Sequence, residues 1–280
     1  MKTIAISVSA DRPTALDCTR EIMRLASAAG VAVAIADDAP GLASSPGAHV
    51  EAAEMIITIG GDGTLLRGVR LAVPLDVPIL GVNTGRLGFL TEIETDADGM
   101  ERLRAVLRGD FAVEERLALQ ASVNGAGAHF ALNDVVVRRG AQARMAPFGL
   151  SLDGEQIAQI ASDGIVVATP TGSTAYFLSA GGPIIAPTVE ALGVAALLPH
   201  TLFARPLIVP TSSTIQISCD SEIVHANLET DGTFVSDLSS GALVTIVRAP
   251  RPVKFARTGD HAFFDRLEDK LQWGVPIKRA

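Results

Sequence analysis

Up to about residue 110, short β-branched runs alternate with stretches of helical period, and this alternation narrows the possible folds more than any other feature of the chain. Thr3–Ser9 reads as a strand, 14–29 as a helix stopped by Gly30, and 31–36 as a strand; after a Gly/Ala/Ser/Pro loop over 37–49 come a strand at 55–59, a helix at 64–72 and a strand at 78–82. A parallel sheet with helices on its faces is the economical packing for that order, because each crossover helix must bury its apolar stripe on the sheet. Met100–Leu107 adds an amphipathic helix, apolar at 100, 103, 106 and 107, with Gly109 as its stop. In open sheets of this kind ligands gather beyond the strand C-termini, where Asp62 and Asn83-Thr84-Gly85 fall.

From Phe111 the texture changes to short β-rich runs at 111–123, 128–138, 148–152, 155–160, 164–168, 206–209, 214–219, 222–228 and 242–248, punctuated by Asn124-Gly125 and Asp153-Gly154. Such dipeptides favour tight hairpins, so an antiparallel, sandwich-like unit is expected. The fold class is therefore an α/β N-terminal domain with a parallel sheet (1–110), followed by a β-rich, sandwich-like C-terminal domain (111–250). A tail (251–280) ends in a helix-spaced segment, Phe263–Gly274, able to pack back on the first domain.

The hydrophobic content, 48% of 280 residues, is ample for two cores. Net charge is −8 and Lys and Arg never form a run, which argues against a nucleic-acid or anionic-membrane partner. The N-terminal apolar run is too short for a signal peptide, and Val189–Val209 is broken by Glu190, His200, Arg205 and two prolines, so a soluble, cytoplasmic protein is expected. Cys18 and Cys219 lack CxxC spacing and companion histidines, and read as reduced thiols rather than metal ligands.

Two loops carry the chemistry. Gly60-Gly61-Asp62-Gly63-Thr64 closes the strand Met55–Ile59; its glycines let backbone amides approach an anion, and a following helix N-terminus adds partial positive charge. Asp62 is the exception, since a carboxylate repels phosphate: it either caps the helix or takes a proton from a hydroxyl attacking a nucleotide's terminal phosphoryl group. Arg67 is the nearest cation, a phosphate contact or a solvated helix residue. Asn133-Asp134, heading Val135-Val136-Val137, is a turn-forming pair that also suits a ligand, an amide for a base edge and a carboxylate for ribose hydroxyls. Asp163-Gly164 repeats the arrangement before Ile165, and Arg144 is either a phosphate contact or a surface residue. The second loop, Thr169-Pro170-Thr171-Gly172-Ser173-Thr174-Ala175-Tyr176, offers four hydroxyls for sugar and phosphate oxygens and the chain's only tyrosine for stacking. A GxxxxGK[ST] loop is absent, which excludes Walker-type ATP binding.

These segments, with Asn83-Thr84-Gly85-Arg86-Leu87-Gly88-Phe89-Leu90, Ser162-Asp163-Gly164 and Ser179-Ala180-Gly181-Gly182-Pro183, resemble the bacterial NAD kinases in order and spacing. The resemblance spans nearly the whole chain, to Leu271-Gln272-Trp273-Gly274. The GGDGT element is shared with lipid kinases and phosphofructokinases, whereas the TPTGSTAY and NTGRLGFL segments are specific. The resemblance implies phosphorylation of the 2′-hydroxyl on the adenosine ribose of NAD by ATP, with a divalent metal ion, usually Mg²⁺, carried by the nucleotide, and a homo-oligomer with sites near subunit contacts. It implies Asp62 as the proton acceptor, and Gly63, Asn133, Asp134, Asp163, Thr174, Ala175, Tyr176, Phe177, Leu178 and Ser179 as dinucleotide contacts, joined by Thr171 and Arg144. Two departures stand out: Asp134 replaces the Glu of many members, one methylene shorter, and Asp231-Gly232-Thr233 replaces Asp-Gly-Gln. The rival readings are a lipid or sugar kinase of the same superfamily and a dinucleotide-binding sensor without catalysis.

Overall fold

The structure, a computed structural model, describes residues 1–85, 88–140, 146–201, 204–219, 226–259 and 263–272. In chain order its elements are β1 (Thr3–Val8), α1 (Pro13–Ala28), β2 (Ala32–Ile35), β3 (Ile56–Gly60), α2 (Asp62–Leu75), β4 (Ile79–Asn83), β5 (Ile93–Glu94), α3 (Ala97–Leu107) and β6 (Ala112–Arg116). There follow β7 (Leu119–Val123), β8 (Ala126–Ala131), β9 (Asp134–Arg139), β10 (Ala146–Leu152), β11 (Glu155–Ser162), β12 (Gly164–Ala168) and the one-turn α4 (Tyr176–Ser179). The remainder is β13 (Ala191–Leu197), β14 (Leu207–Pro210), β15 (Ile215–Cys219), β16 (Ala226–Thr230), β17 (Thr233–Leu238), β18 (Leu243–Arg248), β19 (Val253–Arg257) and α5 (Phe263–Leu271). The chain divides into two compact units, residues 1–115 together with the chain from Val253 onward, and Arg116–Pro252.

The first unit is built on a seven-stranded sheet of order β2-β1-β3-β4-β19-β6, with β5 also on β4. The pairs β1–β2, β1–β3, β3–β4, β4–β5 and β4–β19 are parallel. Every residue of β3 and β4 is buried, as expected of parallel strands covered on both faces. Period-two alternation sorts their side chains. Ile57, Ile59, Leu80 and Val82 join the core formed with Ile22 of α1 and Leu103 and Val106 of α3, while Ile56, Thr58 and Ile79 meet Gly68 of α2 on the other face. The stretch 111–123, read from the sequence as one β-rich run, is shared between units, because β6 joins this first sheet. β19 was not anticipated either: it lies parallel to β4 with Phe255 opposite Ile79, alongside the start of β4, while β5 occupies its end at Val82 and Asn83.

The second unit contains two six-stranded sheets, β11-β10-β15-β18-β7-β8 and β14-β13-β12-β9-β16-β17, joined by antiparallel pairs. Three hairpins close through two residues at positive φ, Asn124-Gly125, Asp153-Gly154 and Asp231-Gly232, the type I′ geometry that matches strand twist. One apolar core is shared by both sheets, with Phe148, Leu150, Ile215, Ile217, Val244 and Ile246 from the first and Val135, Val137, Ile165, Val167 and Leu228 from the second. The intervening Val136 and Val166 point the other way, into a smaller cluster around Phe177. That is why Val135-Val136-Val137 and Ile165-Val166-Val167 are unbroken apolar runs: both faces of those strands are covered.

Neither cysteine is in a disulfide; burial pushes the half-exposed Cys18 thiol up to about 11, and Cys219 lies buried in the sandwich core. Among the described residues no helix is long and apolar enough to cross a membrane.

Candidate active site

In the first unit β3 and β4 end side by side, Gly60 opposite Asn83. The chain leaves β3 through Gly61, which stands at the N-cap of α2 without a side-chain cap, so Asp62 is the first helical residue and not the cap. Its carboxylate reaches sideways instead. Oδ2 accepts from the backbone N–H of Phe89 at 2.9 Å and Oδ1 from that of Leu90 at 3.1 Å. The same turn is tied at its start, where the Gly88 N–H donates to the Thr91 hydroxyl at 3.0 Å. A side chain at 88 would be intolerable, since a Cβ there would lie 1.9 Å from Asp62 Oδ1. The capping role weighed from sequence is thus replaced by a link between two segments 27 residues apart.

Around that link the groups are polar and partly unspent. Asn83 folds over Gly85, donating from Nδ2 to its carbonyl at 3.0 Å, while the buried Thr84 hydroxyl oxygen has no hydrogen-bond partner. Gly63 is exposed in the first turn of α2, where the leading N–H groups have no intrahelical acceptor and the helix dipole favours an anion. Arg67 is exposed, but its guanidinium is anchored at 3.0 Å on the carbonyl of Val8, the last residue of β1. Arg86 and Arg144 lie outside the described residues.

In the second unit, Asn133 and Asp134 stand at the start of β9, immediately beside the end of β12, with Asp134 opposite Ala168. Their backbone is clasped by one carboxylate: Asp231 Oδ1 accepts from the Asn133 and Asp134 N–H groups at 2.7 and 3.2 Å, and Oδ2 accepts from Leu132 at 2.9 Å. The Asp-Gly-Thr hairpin, one of the two departures from the family pattern, thus holds the segment that carries Asn133. Asn133 is half-buried and its Oδ1 has no partner. Asp134 is 4% exposed, and burial first, then the nearby charges of Asp231 and Glu229, raise its pKa to about 7.

The Thr169–Ser179 loop differs from the sequence expectation in how it uses its hydroxyls. Thr169 donates to the Leu132 carbonyl at 2.6 Å and accepts from the Gly172 N–H at 3.0 Å; the Ser173 oxygen lies 2.7 Å from the Pro170 carbonyl and accepts from the Ile185 N–H at 2.9 Å. Both side chains are fully buried, so they shape the loop instead of offering oxygens to a sugar or phosphate. Thr171 is buried beside Arg116, whose Nη1 donates to its hydroxyl at 3.4 Å, and Thr174 donates to the Thr171 carbonyl at 3.3 Å. Phe177 is fully buried against Val136, Val166, Ile185 and Leu197, so its ring is spent on packing and its backbone is the part open to a contact. Tyr176, 40% exposed, and Ser179 are open to solvent, while Ala175 and Leu178 are half-buried.

Asp163 is not brought to this cluster within its own unit. It precedes β12, whereas Thr169 follows that strand, a separation of about 20 Å at ordinary strand rise. There its Oδ1 accepts from Arg139 Nε at 2.6 Å, a hydrogen bond that holds its carboxyl below the usual range.

The sequence model of the ATP-NAD kinase N-terminal domain matches residues 4–111, and that of the ATP-NAD kinase C-terminal domain matches residues 132–258. The chain belongs to the NAD kinase family. It is 38% identical to the NAD kinase of Symbiobacterium thermophilum over 97% of this chain and 99% of that protein, and 37% identical to that of Heliobacterium modesticaldum over 98% and 100%. The solved structure of yeast NADH kinase complexed with NADH is similar over 100% of this chain and 90% of that one, with 25% identity and a TM-score of 0.87. An NAD kinase from Archaeoglobus fulgidus in complex with ATP matches over 97% and 99%, also with 25% identity, and a TM-score of 0.73. The lipid- or sugar-kinase alternative is set aside by this family membership.

The matched segments contain both clusters, Asp62 with the 88–91 turn in the first and Asn133, Asp134 and the Thr169–Ser179 loop in the second. Arg266, which bonds the Phe89 carbonyl, Glu92, which pairs with Arg266 and Arg257, and Arg116, which touches Thr171, have no local sequence signal because each gains its meaning from a distant partner. Gly172 links the two parts of the second cluster: a Cβ there would lie 2.0 Å from the Asn133 carbonyl oxygen. Backbone cannot yield as a flexible side chain can. We expect Gly172→Ala to destabilise the protein by about 1–3 kcal/mol and to weaken NAD binding about tenfold by moving Asn133, as checked by urea denaturation and calorimetric titration. Unchanged affinity would separate Asn133 from the dinucleotide site.

Proposed function

We propose that this chain transfers the terminal phosphoryl group of ATP to the 2′-hydroxyl of the adenosine ribose of NAD, giving NADP. The observation that carries the proposal is the Asp62 carboxylate, held by two backbone amides at the N-terminus of α2 in a chain whose two halves both match the NAD kinase family. A ribose hydroxyl is a weak nucleophile and needs a positioned base. Each carboxylate oxygen has two acceptor sites, so the bonds from Phe89 and Leu90 fix the direction of Asp62 and leave room for the substrate hydroxyl. As the hydroxyl oxygen attacks the γ-phosphorus, its proton passes to Asp62 and ADP departs. The N–H groups opening α2 are suited to charge on the phosphate oxygens, which are further neutralised by a divalent ion, Mg²⁺ in our proposal, bound to the nucleotide.

Asn133, with its unpartnered amide oxygen, and Asp134 are assigned to the dinucleotide, with Gly63, Thr174, Ala175, Tyr176, Leu178 and Ser179, the Phe177 backbone, and Arg67 and Arg144 as phosphate contacts. Thr171 is assigned to the shape of the loop. Homo-oligomerisation and a cytoplasmic location belong to the same proposal, and a second copy of the chain provides a route by which Asp163 reaches a dinucleotide. The test is direct: the purified chain with NAD, ATP and Mg²⁺ should form NADP, read by a dehydrogenase that accepts only NADP, with one ADP per NADP. Thermal stabilisation by NAD without ADP release would assign the chain to sensing instead.

A further inference from the structure

The 88–91 turn that grips Asp62 is itself gripped from the far end of the chain. Arg266 on α5 is 5% exposed, and its two terminal nitrogens divide their work: Nη1 donates to the Phe89 carbonyl at 2.6 Å, and Nη2 lies 3.0 Å from Glu92 Oε2. Glu92 is 3% exposed and is the hub of a cationic cluster. Arg257 Nη1 is 2.9 Å from Oε2, Arg102 Nη2 is 3.4 Å from Oε1, and the Thr258 N–H donates to Oε1 at 3.0 Å. A buried carboxylate so surrounded is not a mobile surface ion pair, because removing one partner leaves charge desolvated and uncompensated.

The peptide group linking Phe89 to Leu90 therefore has a fixed orientation on both sides. Its carbonyl is held by α5 while its N–H, that of Leu90, donates to Asp62 Oδ1, and the N–H of the preceding peptide, that of Phe89, donates to Oδ2. The helix is amphipathic, with Arg266 and Leu267 buried and Phe264, Asp265, Glu268 and Asp269 exposed.

We propose that Arg266, braced by Glu92, is a positioning residue for catalysis: it sets the 88–91 turn, and through the Phe89 and Leu90 amides it sets the direction of the Asp62 carboxylate. This inference rests on Asp62 being the base. It makes the C-terminal helix a part of the catalytic support, though it touches no substrate. Small errors in the direction of a base are costly in rate and nearly silent in binding.

The test compares the parent with Arg266→Ala, Arg266→Lys, Asp62→Asn and the double variant Asp62→Asn/Arg266→Ala. Arg266→Ala should lower kcat about tenfold with KM for NAD and ATP changed less than twofold, and Arg266→Lys, which keeps the charge and one of the two contacts, should recover part of the loss. Amide hydrogen exchange at Phe89 and Leu90 should accelerate in Arg266→Ala. The double variant should be no slower than Asp62→Asn alone, since there is no longer a base to aim. Multiplying losses in the double variant, or a full kcat in Arg266→Ala, would overturn the positioning role. If Asp62→Asn itself keeps full turnover, the base assignment fails, and the exchange rates still report whether α5 holds the turn. Should Arg266→Ala not fold, Arg266→Lys carries the same kcat, KM and exchange comparisons.

Discussion

Replacing Asp62 by Asn lowers turnover by roughly a hundredfold or more, about 2.7 kcal/mol of transition-state stabilisation, while NAD binding stays within a few-fold of the parent. The size follows from losing a general base where the nucleophile is a sugar hydroxyl. The structure adds a complication that shape alone conceals. Both carboxylate oxygens accept backbone N–H bonds, so an amide must present its NH₂ to one of those donors. The turn at 88–91 therefore loosens as well, and thermal stability should fall modestly. Two measurements keep the effects apart: calorimetric NAD affinity reports the binding surface, and kcat at saturating NAD and ATP reports the loss of the base. Turnover near the parental rate would remove Asp62 from the base role.

The second large effect concerns Asp134 and the pH dependence of folding. Its folded pKa is raised to about 7 from an unfolded value near 3.8, chiefly by burial, with the Asp231 and Glu229 charges adding to it. Between those two values the folded chain holds a proton that the unfolded chain has released. Stability from this group is therefore highest below about pH 4, falls as pH rises through the window, and levels off above about 7. The total loss is up to about 4 kcal/mol, from roughly 1.4 kcal/mol per unit. Asp134→Asn abolishes the titration, and its amide can donate to the neighbouring carboxylates. In urea denaturation without ligand, the variant should be more stable than the parent at pH 8 by a few kcal/mol, with the two converging near pH 4. The same variant should bind NAD about tenfold more weakly if the carboxylate accepts from a ribose hydroxyl. A parent and variant with parallel pH profiles would show that Asp134 ionises freely in the folded protein.

That one residue is both destabilising and proposed to bind ligand has a physical logic, because a desolvated carboxylate is expensive to keep and strongly rewarded when a donor arrives. Asn133 makes the same point in neutral form. Its amide oxygen has no partner although its backbone is fully organised by Asp231 and Thr169.

Most elements of the fold were legible because their signals are local. β-branched runs between glycine stops located β1 to β4, and the Asn-Gly and Asp-Gly pairs located two hairpins, since a type I′ turn asks for those residues whatever surrounds it. Besides the two-residue β5, three strands escaped for opposite reasons. β13, Ala191–Leu197, is rich in alanine and glycine and buried on both sides, so it has neither alternation nor β-branched bulk. β17, Thr233–Leu238, is largely solvent-facing, and β19 mixes Lys254 and Arg257 with apolar residues in a tail whose pairing partner, β4, lies far back in the sequence.

By itself the sequence determined the two-part architecture, the alternation that makes one sheet parallel and the other two antiparallel, and the residue types gathered at Asp62, Asn133 and the Thr169–Ser179 loop. Tertiary structure alone decided how those groups are spent. It turned Asp62 from a possible cap into a carboxylate aimed by a turn, committed the Thr169 and Ser173 hydroxyls to their own loop, buried the Phe177 ring, and gathered Arg102, Arg257 and Arg266 on Glu92 across as many as 174 residues. The reason lies in range: periodicity and turn chemistry record contacts a few residues apart, whereas the bonds that give a polar side chain its job join segments that meet only after the chain has packed.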